Sequence, residues 1–324
     1  MRRPTWDQGD LSLLFVSCDL VGSTAFKQRE DREGGWGRQF LEFYRELPRL
    51  VGAVSEEGSL PDPEFQLWKV VGDEMIFTSV VRDEKAVADA VAVWLEAMER
   101  YEKATSKTDR MQTHGGAFIG TFPGPDSHVF IELDPSASTS QSQASTVALN
   151  EAARDNYNPN THLFDYLGPS VDTGFRVLSE STARHFTVSV EVAWAIAEHQ
   201  KLTGDTETLP MSLLGRKVLK GVWDGRPYPL LAIDREYVDK VHAAERALLP
   251  GSGGPSEVAA LCEACSATPG WPSALYLPGS ENPAFTRRPE DILKSQMEND
   301  TTGAETPPPP AGQGSAVDDD LPTD

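Results

Sequence analysis

The sequence predicts an α+β fold. Short β-rich apolar runs alternate with amphipathic helical stretches, yet they keep no strict strand–helix–strand period of the kind a parallel sheet requires. Two of the runs are joined by a Gly-Asp pair, a signal for an antiparallel hairpin. The 324 residues, 39% hydrophobic and 24% charged, suffice for roughly two units with a buried core, so a wholly disordered chain is excluded.

Taken in order, the run Leu11-Ser-Leu-Leu-Phe-Val16, bounded by Ser17-Cys18-Asp19, reads as a buried strand. Leu20–Thr24 turns the chain, and Ser23 or Thr24 can cap a helix. Phe40, Leu41, Phe43, Tyr44, Leu47 and Leu50 recur at helical spacing, and that helix should end before the Gly/Pro-rich stretch 58–63. Phe65–Val71 and Met75–Val81 are strands on either side of the tip Gly72-Asp73-Glu74. Glu84–Lys103 is an amphipathic helix with Val87, Ala90, Val91, Trp94, Leu95 and Met98 on its inner face. Thr113–Thr121 and His128–Leu133 read as strands.

Residues 134–162 form an insert that begins Ser/Thr/Gln/Asn-rich and turns helical over Ala144–Arg154. Gly168–Leu178 and Thr182–His199 read as helices, although Phe186–Val192 fits a strand as well. Leu213–Asp234 reads as two strands joined by Asp224-Gly225. The expected organisation is an N-terminal arm over 1–10, one folded domain over 11–235, an extension over 236–298 that contains the Gly251–Pro255 linker and is Pro-rich and weakly patterned over 256–298, and a disordered tail over 299–324. That tail holds Pro307–Pro310, six acidic residues and no basic ones. No internal repeat is found.

A net charge of −21 argues against a nucleic-acid binder and against adhesion to an anionic membrane. A negatively charged small substrate would then need a local cationic correction such as a metal ion. Three cysteines cannot build a disulfide framework, and Cys262-Glu-Ala-Cys265 is half of a zinc site with no second half, so free thiols are expected. Cys18 adjoins Asp19 but faces the other side of its strand. The N-terminus has no apolar signal core and no stretch approaches the ~20 apolar residues of a membrane span. A cytoplasmic protein is expected.

Asp19 ends a buried strand, facing a turn into a helix, and Asp73 sits at the tip of an apolar hairpin. Alone, each reads as a turn or cap residue. If their strands lie side by side, the carboxylates converge, and two hard carboxylates a few ångströms apart repel unless a cation lies between them. Such a pair suits a divalent metal and polyphosphate chemistry.

Three segments in order carry a family resemblance over roughly residues 10–235. Phe15-Val-Ser-Cys-Asp-Leu-Val-Gly-Ser-Thr24 resembles the first metal motif of class III nucleotide cyclases, Lys69-Val-Val-Gly-Asp-Glu74 their second, and Asp165-Tyr-Leu-Gly-Pro-Ser-Val-Asp-Thr-Gly-Phe-Arg176 their third. The resemblance implies a ferredoxin-like α+β catalytic domain, dimerising head to tail with active sites at the interface. Asp19 and Asp73, helped by the backbone carbonyl of Leu20, would hold two Mg²⁺ or Mn²⁺ ions. The turn containing Gly22, Ser23 and Thr24 would cradle the β- and γ-phosphates through its N–H groups, and Arg176 from the other subunit would neutralise charge on the α-phosphoryl oxygens.

The departures bear on the substrate. Asp172 stands where the family has Asn, and an ionised Asp accepts hydrogen bonds but cannot donate them. Phe175 is bulky where a small residue is common, and the 134–162 insert is absent from the usual adenylyl cyclases. This variant resembles the pyrimidine cyclases of Pycsar anti-phage systems, which implies conversion of UTP to cyclic UMP, or of CTP to cyclic CMP, as a messenger for a partner effector. UTP is favoured. Lys69 and Asp165 stand where adenylyl cyclases read adenine, which would instead favour ATP. Lys69 could also support the hairpin or pair with Asp165, and Asp165 could cap a turn. By strand alternation Phe15 and Ser17 share a side with Asp19 and could line the pocket, whose size Tyr44 could restrict. A catalytically inactive, nucleotide-binding module is the alternative from another class.

Overall fold

The computed structural model describes residues 11–28, 37–57, 64–105, 111–134, 145–236, 239–248 and 253–295. The expected N-terminal arm, the first part of the insert and the acidic tail lie outside the described residues.

The chain opens with β1 (Leu11–Leu20), the short helix α1 (Ser23–Lys27), α2 (Gly37–Glu57), the hairpin β2 (Gln66–Val71) and β3 (Glu74–Val81), and α3 (Glu84–Thr105). β4 (Thr113–His114) and β5 (Gly116–Phe122) follow as one strand interrupted at Gly115. β1 pairs antiparallel with β3 on one side and with β4 and β5 on the other, and β3 pairs antiparallel with β2. The result is a β-α-β-β-α-β unit with strand order β2-β3-β1-β5, the ferredoxin-like arrangement that the motif resemblance implies. β8 (His185–Val188) extends the sheet parallel to β5, and β10 (Pro227–Asp234) and β9 (Met211–Val218) complete it.

β1 is central and buried on both faces, which is why it reads as a nearly unbroken apolar run. Its even-numbered residues Leu14, Val16, Cys18 and Leu20 enter the larger core, with residues of α2, α3 and α6 (Val190–Thr203). Its odd-numbered residues Leu11, Leu13 and Phe15 enter a smaller, ring-rich core with Phe118, Phe122 and Tyr166. That second face is covered by α5 (Pro169–Leu178) and by a separate antiparallel ribbon, β6 (Ser127–Glu132) with β7 (His162–Leu167). In the insert, α4 (Thr146–Asp155) docks on β6. The Asn150 amide donates to His128 O at 2.9 Å and accepts from Phe130 N at 3.0 Å.

Three local expectations change. Thr182–His199 is not one helix: β8 comes first, and α6 starts at Val190 behind the Ser189 cap. The stretch 186–197 is buried without a break across the boundary, so no periodicity separates strand from helix. Asp165 lies within β7, opposite Val129, rather than capping a turn. The weakly patterned extension contains α7 (Lys240–Leu248) and α8 (Pro255–Ser266), and α8 packs on α6. Val258, Cys262, Leu277 and Phe285 share the larger core. Trp271 stacks on Tyr228 and donates its indole N–H to buried Glu191 at 2.8 Å. Cys262 and Cys265 are buried free thiols, and burial pushes both up.

Among the described residues no helix is long and apolar enough to cross a membrane.

Candidate active site

The site forms where β1 runs out. At Leu20 the strand gives way to a turn through Gly22, whose φ of 74° lies in the left-handed region that glycine adopts without strain. Ser23 then starts α1. The antiparallel register pairs Cys18 with Met75, so the β2–β3 tip falls beside the end of β1. Gly72, with a φ of 64°, makes the tip, and the Tyr44 hydroxyl donates to its carbonyl. Tyr44 thus anchors the hairpin from α2.

Asp19 and Asp73 meet here, with their carboxyls within hydrogen-bonding reach of each other. Burial works to raise the Asp73 carboxyl. The adjacent Asp19, the Ser23 hydroxyl and the Lys27 ammonium outweigh it and hold Asp73 below its ordinary value. Lys27 Nζ lies 3.0 Å from Asp73 Oδ1. Asp73 Oδ2 is buried and has no hydrogen-bond partner among the described residues. Asp19 Oδ1 accepts from Leu20 N at 2.7 Å, and its Oδ2 faces His114 Nε2 at 3.4 Å.

These residues fit a divalent cation. They offer hard oxygens, one of them buried and orphaned, which is the donor set Mg²⁺ or Mn²⁺ takes. Among the described residues no group of three or more His, Cys, Asp or Glu side chains is arranged to hold a metal ion. An ion here would rest on two carboxylates and complete its shell from backbone, water and substrate phosphate, as Mg²⁺ commonly does.

Three neighbours escape a reading of the sequence. Glu74 shares the face of Asp19 and Ser17, and burial pushes its carboxyl up. The Ser17 hydroxyl opposes that shift, while the negative charges of Asp19 and Asp73 add to it. His114 is the cross-strand partner of Asp19, and its Nδ1 lies 2.8 Å from Ser181 Oγ. Trp68 donates its indole N–H to Asp165 Oδ1 at 3.1 Å. Strand alternation could have flagged Glu74 and Trp68. His114 is set by a register that no local pattern reveals.

Lys69 and Asp165 come together in one chain, with Nζ 2.8 and 2.9 Å from the two carboxylate oxygens. Phe15 is fully buried, its ring stacked on Phe118 with centroids 4.5 Å apart, so it lies beneath the site. Ser17 is also fully buried, whereas Gly22 and Thr24 are exposed. Asp172 and Arg176 lie one turn apart on the outer face of α5, both exposed. Within one chain, the Arg176 guanidinium forms no ion pair with Asp19, Asp73 or Asp165.

No family model and no curated protein matches the sequence. Among solved structures, the chain is similar to the adenylyl cyclase CyaB from P. aeruginosa at 14% identity and a TM-score of 0.46, covering 69% of this chain and 94% of that one. It is also similar to the guanylate cyclase domain of RhGC from Catenaria anguillulae in complex with GTP, at 15% identity and a TM-score of 0.45, covering 69% and 97%. A third likeness is the catalytic core of a rhodopsin-guanylyl cyclase with converted specificity in complex with ATPαS, at 16% identity and a TM-score of 0.44, covering 69% and 96%.

Proposed function

We propose that the chain is a metal-dependent nucleotidyl cyclase that converts UTP to 3′,5′-cyclic UMP and pyrophosphate. The observation that carries this reading is the meeting of Asp19 and Asp73, with the orphaned Asp73 Oδ2, beside the exposed turn that opens α1. Asp19, Asp73 and the carbonyl of Leu20 would hold two Mg²⁺ or Mn²⁺ ions. When bound, such ions lower the pKa of the ribose 3′-hydroxyl and neutralise triphosphate charge.

In the proposed reaction the 3′-oxygen loses its proton and attacks the α-phosphorus in line. The bond to the β-phosphate oxygen breaks, and pyrophosphate leaves. Positioning and charge stabilisation are then the work left to the side chains. Gly22, Ser23 and Thr24 line the turn that would face the phosphates. Arg176 lies on an exposed helix face and its guanidinium has no ion-pair partner among the described residues, which suits it to the charge developing on the α-phosphoryl oxygens. It does not touch Asp19 or Asp73 in its own chain. A head-to-tail homodimer, with Arg176 supplied by the second copy, is the arrangement that would unite them.

Lys69 and Asp165 would present a donor and an acceptor to the edge of the base, with Asp172 near the ribose. Uracil offers O4 and N3–H to such a pair. Trp68 and Phe175, with ring centroids 5.9 Å apart, crowd the same neighbourhood and favour a one-ring base. Adenine offers N1 and an amino group to the same pair, so ATP is a second reading, and cytosine makes CTP a third. The cyclic nucleotide would act on a separate effector in anti-phage defence, a reading supported by the resemblance in the three motifs.

The test is incubation with UTP, CTP, ATP and GTP separately, with Mn²⁺, and identification of the cyclic product. Cyclic UMP is expected. Cyclic AMP would move the assignment to the second reading, and absence of pyrophosphate from all four would leave an inactive nucleotide-binding module. Mixing inactive D73A and R176A proteins should partly restore turnover, and no rescue would argue against a site shared between subunits.

A further inference from the structure

Lys27 closes α1, and its ammonium lies 3.0 Å from Asp73 Oδ1 and 4.5 Å from the centre of the Phe40 ring. Its side chain is 32% exposed and that of Asp73 14%. An ion pair on open surface would carry little weight. This one is sheltered, and its carboxylate is one of the two that would hold metal. Two adjacent carboxyls need a cation or a proton between them, or they must separate. Without metal, the Lys27 ammonium is the cation at Asp73, and the face of Phe40 holds it there. The Ser23 hydroxyl, on the same short helix, also leans on Asp73. The contacts to Asp73 therefore tie α1 to the hairpin tip.

We infer that Lys27 is the resident counter-cation of Asp73 and competes with divalent metal for that carboxylate, so that metal loads together with a polyphosphate rather than ahead of it. This rests on the reading of Asp19 and Asp73 as metal ligands. A free divalent ion taken up at the Asp73 carboxylate would lie a few ångströms from the ammonium already held on Oδ1, and it must either bear that repulsion or push the ammonium off its anion, which weakens binding. A metal–triphosphate complex brings phosphate oxygens that can accept the released ammonium, so displacement then costs little.

The test is Mn²⁺ binding to the full chain without nucleotide, followed through the electron paramagnetic resonance signal of free Mn²⁺. Wild type is compared with Lys27→Met, which keeps an apolar stem against Phe40, and with Lys27→Gln, whose fold is checked independently by circular dichroism. Both variants should bind Mn²⁺ more tightly than wild type by roughly tenfold or more, since a competing positive charge a few ångströms away is gone. Addition of inorganic tripolyphosphate should narrow that gap. Equal Mn²⁺ affinity in all three, abolished by Asp73→Asn, would overturn the role of Lys27 and leave the metal reading intact. Absence of Mn²⁺ binding from all three folded proteins, with and without tripolyphosphate, would overturn both.

Discussion

The Lys69 ammonium spans the Asp165 carboxylate, 2.8 Å from Oδ1 and 2.9 Å from Oδ2, and lies 4.0 Å from the centre of the Trp68 ring. Trp68 N–H and the Tyr166 amide also donate to Oδ1. The cluster ties β2 to β7, and both side chains keep about a third of their surface exposed, where a ligand can reach them. Asp165→Asn would swap part of that acceptor surface for a donor. Discrimination among nucleotides should fall by about 10²-fold or more in kcat/KM ratios, because a polar edge would be left unpaired. A competition assay with all four nucleotides reads this directly. Unchanged ratios would remove the pair from base recognition.

His114 bridges two elements, with Nδ1 at 2.8 Å from Ser181 Oγ and Nε2 at 3.4 Å from Asp19 Oδ2. The Ser181 contact fixes the ring, and the ring limits where Asp19 can turn. His114→Ala should lower kcat by roughly 10- to 100-fold, the range seen when a group that orients a metal ligand is removed. Ser181→Ala should cost less. The Mn²⁺ concentration needed for half-maximal rate should rise in parallel, and a loss of kcat with no change in Mn²⁺ dependence would assign His114 a different role.

The parts of this molecule that could be read from sequence are those whose partners are local. The β1 apolar run, the β2–β3 hairpin around Gly72-Asp73 and the inner face of α3 each carry a signal within their own few residues. The strand order of the ferredoxin-like unit follows from pairings between distant segments, although the motif resemblance implied it. Glu74 and His114 gain their meaning from registers that bring β3 and β4 against β1. The extension was the least legible. Trp271 and Phe285 look like isolated rings in a Pro-rich stretch until Tyr228 and Trp194 are placed beneath them. Asp165 could pass for a turn cap in the sequence, because the β6 partner that makes it a strand residue lies across the insert.

Gly174 sets how closely α5 approaches the sheet. A Cβ there would meet the Phe118 ring at 2.2 Å, and Phe118 is itself buried and stacked on Phe15. Neither ring has room to give. Gly174→Ala should destabilise the fold by about 1–3 kcal/mol, an overpacking cost that exceeds the gain in helix propensity. It should also reduce turnover, since Asp172 and Arg176 ride on the same helix. Urea denaturation measures the first effect, and a midpoint equal to wild type would show that α5 can lift without cost.

Asp126 gives the protein a pH dependence of its own. Its side chain is buried, accepting from Ser170 N at 2.9 Å and Val171 N at 3.4 Å through Oδ1, and from Thr121 N at 3.0 Å through Oδ2. It joins the end of β5 to the start of α5. Burial pushes its carboxyl up to about 6, with the hydrogen bonds from Ser170, Thr121 and Val171 opposing the rise. In the unfolded chain the group returns to its ordinary value near 3.8. Between those values the folded protein binds more protons than the unfolded one, so this contribution to stability is complete below about pH 4 and is lost as pH rises through about 6. Asp126→Asn does not titrate. The stability of wild type relative to Asp126→Asn should therefore fall by on the order of 2–3 kcal/mol between pH 4 and pH 6.5 and stay level above. Urea unfolding of both proteins across that range measures the difference, and a flat or rising difference would show that Asp126 is ionised in the fold at low pH.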